Sequence, residues 1–470
     1  MKIIKTICLI LVLFTVLQAG LFPVSSMQAD ADKVSGCHSV DASKPLMSGD
    51  QLLETAKAVF VYERNSDTLV YGYNPDQALD PAGMPKVMTA LIAIEKGNLD
   101  DMVTVSRKAL DAVAIGSVSA GLVRGEEISL KDLLYLMMTK SANDAATVIA
   151  EHIAGSQEAF VDMMNQRAGE LGCTNTVFTN AHGLPDEASA LTARDLCRIL
   201  DTALDDETFR ALFSATEYTV PATNKSEARE IETSNKMALQ TSKAYYDSRV
   251  TGGKTGATKD GRYLAVTAEY NGMELLAIVM GAVPTYEVEN IVIKTYGSFE
   301  EMAVLLDHVC DRYEYRQVFY NGQAVSQHSV TNGSGNVVLS PTEAMSTVLP
   351  VDLDPSQLSW VYGDLTGSTV APIQKGQHMS TLQVWYGNIC VAETDLVAMF
   401  DVPVYEKPND TDHSLDIQTN TGWLGTVIWI VLGLIAAVLL GMVGVRAIRR
   451  AMIKSRRKRR RREQRRRGHA

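Results

Sequence analysis

The chain has 470 residues, of which 46% are hydrophobic, so it is long enough for two or three domains with ordinary cores. Its formal net charge of −11 hides an uneven distribution, because 14 of the 44 Lys and Arg residues follow residue 445 and residues 30–422 carry a net charge of about −26. A body this acidic would repel nucleic acid, so we expect no nucleic-acid partner.

The first 31 residues have the layout of a secretory signal peptide. Lys2 and Lys5 precede the eleven-residue apolar run ICLILVLFTVL, and small residues follow at Ala29 and Ala31. Eleven apolar residues are too few to span a bilayer well, so we expect cleavage rather than anchoring. Residues 32–50 are predicted to form a linker.

The next segment, 51–285, is predicted to be one domain with strands at both ends of its sequence and helices between them. Residues 57–73 form two β-rich runs around Asn-Ser-Asp, which is typical of a hairpin. A nearly all-apolar helix follows and ends at Gly97, and Ser129 with Asp132 and Thr192 with Asp195 predict the caps of two further helices. Asn271-Gly272 between two apolar runs indicates a second hairpin. This order predicts an α+β fold in which an antiparallel sheet, closed by distant segments, carries a helical cluster.

The remaining chain is predicted to contain a connecting segment, a small β domain, a membrane-spanning helix and a short cytoplasmic tail. A connecting segment, 286–316, contains a helix over 299–313, and alternating short β-rich runs predict a small β domain over 317–405. A polar spacer, 406–422, leads to the 23 uncharged residues 423–445, which as a helix would measure about 34 Å against a bilayer core of about 30 Å. The basic tail 446–470 then places the C-terminus in the cytoplasm and the body outside.

The cysteines and histidines predict no metal site and no cofactor. After loss of Cys8 with the signal peptide, five widely spaced cysteines remain, and Cys173 and Cys197 are expected to be small core residues. The eight histidines form no metal-like pair. His182, in NAHGL, is expected to shape a turn before Gly183 rather than to act as a base.

Three short motifs occur in one order along the predicted domain. A helix start contains Lys86, the segment Ser141-Ala142-Asn143 lies between two helices, and Lys254-Thr255-Gly256 lies on a strand. Each is weak alone, but together they match the S-x-x-K, S-x-N and K-T-G elements of penicillin-recognising serine enzymes.

The resemblance extends beyond the motifs, over residues 51–283. The segments GLVRGEEISLKDLLYLMMTKSANDAATVIAEHIAGSQEAF, MNQRAGELGCTNTVFTNAHGL and TARDL closely resemble the D-alanyl-D-alanine carboxypeptidases, the low-molecular-mass penicillin-binding proteins that trim peptidoglycan stem peptides. The resemblance implies a penicillin-binding, β-lactamase-like transpeptidase domain, and the small β domain and C-terminal anchor fit the same layout. It also implies a bacterial cell-membrane location, a stem peptide ending in D-Ala-D-Ala as ligand, and cell-wall synthesis proteins as further partners.

The family's roles carry over to matching positions of this chain. Lys86 would be the base for a serine three residues earlier, and Ser141 would relay its proton. Asn143 would hold the ligand's amide, while Lys254 and Thr255, followed by Gly256, would bind its terminal carboxylate. Backbone N–H groups of Gly83 and Ala257 would form the oxyanion hole.

The sequence departs from the family at the nucleophile, because Gly83 stands where the serine is expected. Removing such a serine costs about 10⁶ in turnover, or roughly 8 kcal/mol. The fold should tolerate the change, because glycine is acceptable as an N-cap and Pro85 suits a first helical turn. We therefore expect a carboxypeptidase homologue that binds stem peptides and is catalytically impaired or inactive.

Three alternatives stay open at this point. Ser141 could attack in place of the missing hydroxyl and give an active carboxypeptidase. A collapsed cleft would give a structural wall protein that binds no stem peptide. The glycine could also reflect a sequence error or a loss without consequence.

Overall fold

The computed structural model describes residues 44–47, 51–288, 292–365 and 369–406. The predicted signal peptide, most of the predicted linker, the spacer beyond residue 406, the membrane helix and the basic tail lie outside these residues. Among the helices that are described, none combines the length and apolar character needed to cross a bilayer.

Strands and helices are numbered here in chain order. The strands are β1 Ala58–Glu63, β2 Thr68–Tyr73, β3 Met102–Thr104, β4 Glu127–Ser129, β5 Glu217–Val220, β6 Arg229–Glu232, β7 Val250–Ala257, β8 Arg262–Tyr270, β9 Met273–Ala282, β10 Thr285–Val288, β11 Val292–Thr295, β12 Tyr313–Phe319, β13 Ser326–Ser329, β14 Asn336–Pro341, β15 Met345–Pro350, β16 Leu358–Tyr362, β17 His378–Tyr386 and β18 Ile389–Ala398. The α-helices are α1 Pro85–Lys96, α2 Arg107–Asp111, α3 Leu130–Met138, α4 Asn143–Ala154, α5 Gln157–Glu170, α6 Ala193–Leu204, α7 Glu207–Ser214 and α8 Ser298–Arg312.

The central sheet has five antiparallel strands in the order β2-β1-β9-β8-β7. The N-terminal hairpin therefore pairs with β9, about 200 residues later in the chain, which confirms the prediction of a sheet closed by distant segments. Asn271 and Gly272 have φ values of 47° and 81°, as a tight hairpin between β8 and β9 requires. This closure places β7 at an edge of the sheet.

One face of the sheet packs against the helical cluster. Alternate residues of β1, including Phe60 and Tyr62, lie in the same core as α1, α3, α4 and α6. The predicted caps are present, because Ser129 Oγ accepts from the N–H of Asp132 at 3.0 Å and Thr192 Oγ1 from that of Asp195 at 3.0 Å. Cys173 and Cys197 are free thiols buried in this core, as predicted.

The other face of the sheet is also covered, which the sequence did not indicate. Val59 and Val61 share a second core with α8, and the Glu301 carboxylate of α8 accepts from the N–H groups of Thr55 and Ala56 at 2.8 and 3.0 Å. Within the predicted linker, residues 46 and 47 are buried and donate their N–H groups to β2. That part of the linker is therefore packed onto the domain.

A small β domain follows α8, as predicted. Strands β12 and β15 pair with each other, and five antiparallel strands form a sheet in the order β13-β14-β18-β17-β16. Among the described residues of segment 286–316, Ser298–Arg312 are helical, and others belong to the β10–β11 hairpin and to β12. The helix predicted over 299–313 is thus confirmed to within one residue at each end, whereas the strands on either side of it were not predicted.

Candidate active site

The start of α1 presents Lys86 to the interior of the domain. Pro85 is the first helical residue and Met84 is the N-cap, so Gly83 lies one residue outside the cap position proposed for it from the sequence. Asp80 Oδ1 accepts from the N–H of Ala82 at 3.0 Å and fixes the turn before the helix. Lys86 then points inward and is 2% exposed.

Lys86 is held between two oxygen acceptors. Its Nζ donates to Asn143 Oδ1 at 2.7 Å and to the backbone carbonyl of His182. Burial, together with the nearby charge of Lys254, lowers the pKa of Lys86 well below its ordinary value. A lysine in this environment can hold its nitrogen in the neutral form that a general base requires.

The S-x-N segment is a strained turn between α3 and α4. Ser141 has φ of 62°, in the left-handed region, and the N–H of Asn143 donates to the carbonyl of Val118 at 2.8 Å. The buried Asp144 carboxylate accepts from Ser119 Oγ at 2.6 Å and from the N–H groups of the adjacent loop, including Ala120 at 2.9 Å. These bonds fix Ser141 and Asn143 beside the cleft.

Strand β7 supplies the second lysine. Lys254 Nζ donates to Ser141 Oγ at 2.8 Å and to the carbonyl of Thr255 at 2.9 Å. Burial lowers the pKa of Lys254 to about 7. The proposed relay Ser141 is therefore bonded to Lys254, a pairing that the sequence did not predict.

Gly83 faces both other motifs. A Cβ added at Gly83 would lie 3.2 Å from the Thr255 carbonyl oxygen, 3.6 Å from Gly256 Cα and 3.6 Å from Ser141 Oγ. A Cβ added at Gly256 would in turn lie 3.0 Å from the Gly83 nitrogen, so the two backbones are in close approach. A side chain at residue 83 would therefore enter the space between Ser141 and β7. Ala257, predicted for the oxyanion hole, follows at the exposed end of β7, where it pairs with Arg262.

His182 has a structural role, in agreement with the sequence interpretation. Its Nδ1 accepts from the N–H of Leu184 at 3.1 Å, and burial lowers its pKa to about 4, so the ring is neutral at physiological pH. Gly183 has φ of 80° and packs so closely that a Cβ there would lie 1.7 Å from the Ala82 carbonyl oxygen. The packing of this loop places the backbone carbonyl of His182 where it accepts a hydrogen bond from Lys86 Nζ.

The structure thus brings Gly83, Lys86, Ser141, Asn143, Lys254, Thr255 and Gly256 into one cleft. Three contributors were missed from the sequence: the His182 carbonyl, the Asp144 carboxylate and the Ser234 hydroxyl, which lies 2.5 Å from Thr255 Oγ1. Asp144 directly follows the S-x-N motif and could have been found as a loop-fixing group, whereas the other two arise from long-range packing. Among the described residues, no group of His, Cys, Asp and Glu side chains is arranged to hold a metal ion.

Comparison with known proteins gives the same assignment over most of the chain. A family model described as D-alanyl-D-alanine carboxypeptidase matches residues 47–284, and one described as penicillin-binding protein 5, C-terminal domain, matches residues 313–404. The D-alanyl-D-alanine carboxypeptidase DacF of Bacillus subtilis is 30% identical over 359 residues, which cover 75% of this chain and 87% of DacF.

Two further proteins are similar over comparable lengths. The D-alanyl-D-alanine carboxypeptidase DacC of Escherichia coli is 27% identical over 360 residues, covering 74% of this chain and 84% of DacC. The crystal structure of penicillin binding protein 5 from Haemophilus influenzae superposes with a TM-score of 0.59 at 27% identity, covering 76% of this chain and 99% of that one. The chain therefore belongs to the D-alanyl-D-alanine carboxypeptidase family and carries a C-terminal domain of the penicillin-binding protein 5 type.

Proposed function

We propose that this protein binds the D-Ala-D-Ala terminus of peptidoglycan stem peptides without forming an acyl-enzyme. The observation that carries the proposal is Gly83: the nucleophile position has no hydroxyl, while Lys86 and Lys254 are buried in the same cleft with hydrogen-bond partners. Without the hydroxyl oxygen no bond to the ligand's carbonyl carbon can form at that position. Turnover falls by about 10⁶ relative to an intact serine site.

The binding part of the proposal rests on β7. Lys254 and Thr255 are the groups that would pair with a terminal carboxylate, and the Lys254 cation gains most from a nearby anion because burial leaves its charge little screened by solvent. Asn143 Oδ1 accepts from Lys86, which leaves the Nδ2 group of Asn143 to donate to a ligand carbonyl. Two buried lysines cost stability, so a cleft without a ligand would gain nothing from them.

We also propose that the protein is anchored in the cell membrane of a bacterium. The supporting features lie in the sequence: the signal peptide 1–31, the apolar segment 423–445 and the basic tail 446–470. The spacer 406–422 would then connect the extracytoplasmic body to the bilayer. Cell-wall synthesis proteins remain the proposed further partners, because a binder that does not turn over its ligand can act by occupying it or by recruiting enzymes to it.

Two measurements on the full chain test this function. Isothermal titration with a peptide ending in D-Ala-D-Ala should show saturable binding, and fluorescent penicillin should leave no covalent label after denaturation. Stoichiometric covalent labelling of the wild-type chain would contradict the loss of acylation. Absence of peptide binding by a folded chain would instead favour a structural wall protein with a cleft that binds no stem peptide.

A second candidate is an active carboxypeptidase that uses Ser141. The observation in its favour is the 2.8 Å hydrogen bond from Lys254 Nζ to Ser141 Oγ, combined with a lysine pKa of about 7. Neutral Lys254 could accept the Ser141 proton as the oxygen attacks. Release of D-alanine from a pentapeptide by the wild-type chain, abolished by Ser141→Ala, would establish this activity, and no release at high protein concentration would exclude it.

A further inference from the structure

The Thr255 hydroxyl of the K-T-G motif is paired with a second hydroxyl that lies outside the motif and outside strand β7. Ser234 Oγ and Thr255 Oγ1 lie 2.5 Å apart, and either oxygen can be the donor. Ser234 belongs to the segment between β6 and β7 and is exposed, whereas Thr255 is half-buried next to Lys254. The pair therefore lies at the solvent boundary of the residues proposed to bind a carboxylate.

Ser234 is held in place by its two neighbours. The N–H of Thr233 donates to the carbonyl of Thr216 at 2.7 Å, and Thr233 Oγ1 accepts from the N–H of Asn235 at 3.2 Å. Asn235 is 1% exposed, and its Oδ1 accepts from the N–H of Met237 at 3.1 Å. An exposed serine between two buried, hydrogen-bonded residues has its position fixed by the fold rather than by its own side chain.

The Ser234 and Thr255 hydroxyls carry two protons, and the hydrogen bond between them uses only one. If Ser234 donates to Thr255 Oγ1, the Thr255 O–H is free to donate to a third group, and its proton is made a better donor by the bond it receives. An anionic oxygen is the acceptor that benefits most, because hydrogen bonds to ionised groups are about twice as strong as those between neutral groups. A carboxamide in the same place would accept a weaker bond.

We propose that Ser234 is a positioning residue, which orients the Thr255 hydroxyl toward the terminal carboxylate of the stem peptide and so favours a free carboxylate over a blocked C-terminus. This inference deepens the proposed function and rests on it. Lys254 supplies the charge of the subsite, and Ser234 with Thr255 supplies the directed hydrogen bond.

The test compares two ligands on the full chain: a peptide ending in D-Ala-D-Ala with a free carboxylate, and the same peptide as its C-terminal carboxamide. Ser234→Ala should weaken binding of the carboxylate peptide by about five- to tenfold and change binding of the carboxamide by less than about twofold. Ser234→Thr, which keeps the hydroxyl, should restore the affinity for the carboxylate peptide. In a Thr255→Val background, Ser234→Ala should add less than about twofold, because its effect passes through the Thr255 hydroxyl.

Thr285→Ala is the matched control, since it removes one member of the exposed Thr285–Thr295 hydroxyl pair, in which the oxygens are 2.7 Å apart. It should leave both affinities unchanged. Equal weakening of both ligands by Ser234→Ala, or full additivity with Thr255→Val, would overturn the inference while the proposed function stands. Wild-type protein that binds neither ligand would remove the proposed function and this inference together.

Discussion

The two sides of the cleft differ in whether every side chain expected from the family motifs is present. We call Gly83 and Lys86, at the start of α1, the nucleophile side, and Lys254 and Thr255, on β7, the anion side. On the nucleophile side Lys86 is buried and hydrogen-bonded but has no hydroxyl to deprotonate. On the anion side Lys254 and Thr255 each bond to a neighbouring hydroxyl. Under the proposed function, the lack of one side chain separates covalent chemistry from ligand recognition.

The largest expected effect comes from rebuilding the nucleophile side. Gly83→Ser should create stoichiometric covalent labelling by fluorescent penicillin, a gain of about 10⁶ in acylation, because the base is already in place. Gly83 is outside the left-handed φ region, so a side chain is permitted. Its Cβ would approach the Thr255 carbonyl to 3.2 Å, so β7 must move by a few tenths of an ångström, at a cost of about 1 kcal/mol in the free energy of unfolding.

Gly83→Ala is the control for this gain, since it adds the Cβ without the oxygen and should remain unlabelled. A folded Gly83→Ser chain that fails to label would mean that the two sides are not aligned for acylation, and the comparison above would be wrong.

A smaller effect should separate the two lysines. Lys254→Met should weaken binding of a D-Ala-D-Ala peptide by about 30-fold, because it removes the cation of the anion side. Lys86→Met should weaken binding only about threefold, through the lost bond to Asn143. Isothermal titration of both variants measures the ratio, with thermal melts to confirm folding. Equal losses of affinity in the two variants would show that both lysines contribute to ligand binding, rather than Lys254 alone.

The smallest expected effect is a pH dependence of binding. Since burial lowers the pKa of Lys254 to about 7, its cation is present below that pH and is lost above it. Affinity for the carboxylate peptide should therefore fall by about tenfold between pH 6.5 and 8.5. Titrations at three pH values measure this, and Lys254→Met should flatten the profile.

Lys254 should also make the free energy of unfolding depend on pH, in the direction opposite to that of the affinity. In the unfolded chain Lys254 keeps its proton up to its ordinary pKa of 10.5, whereas the folded chain releases it at about 7. The unfolded state thus binds more protons between these values, and the contribution of Lys254 to the free energy of unfolding rises with pH across that window. Affinity and stability that change in the same direction would contradict the assignment of the titration to Lys254.

The parts of the fold that could be predicted are those where a short sequence pattern is compatible with one local backbone structure. Asn271-Gly272 specified a turn with two left-handed residues, and Ser129 and Thr192 specified helix starts. The β10–β11 hairpin was not predicted, because short apolar runs do not distinguish a strand from a helix. The packing of α8 on the second face of the sheet depends on contacts such as Glu301 with Thr55, which no local pattern encodes.

The candidate site, too, could be predicted only in part from local sequence patterns. The motifs identified which residues meet, but the pairing of Ser141 with Lys254, and of Lys86 with Asn143, depends on side-chain directions across two helices and a strand. The hydroxyl of Ser234 lies 21 residues before Thr255 in the chain, and only the return of the chain along β7 brings them together.

The close approach of Gly183 to Ala82 has a consequence for how such homologues are judged. A side chain at residue 183 would collide with the turn that leads into α1 and would sit on a backbone with positive φ, so glycine is strongly favoured there. The packing requirement on Gly183 is independent of catalysis, so the presence of this glycine says nothing about turnover. Under the proposed function, residue 83 is the position that separates a reacting protein from one that only binds.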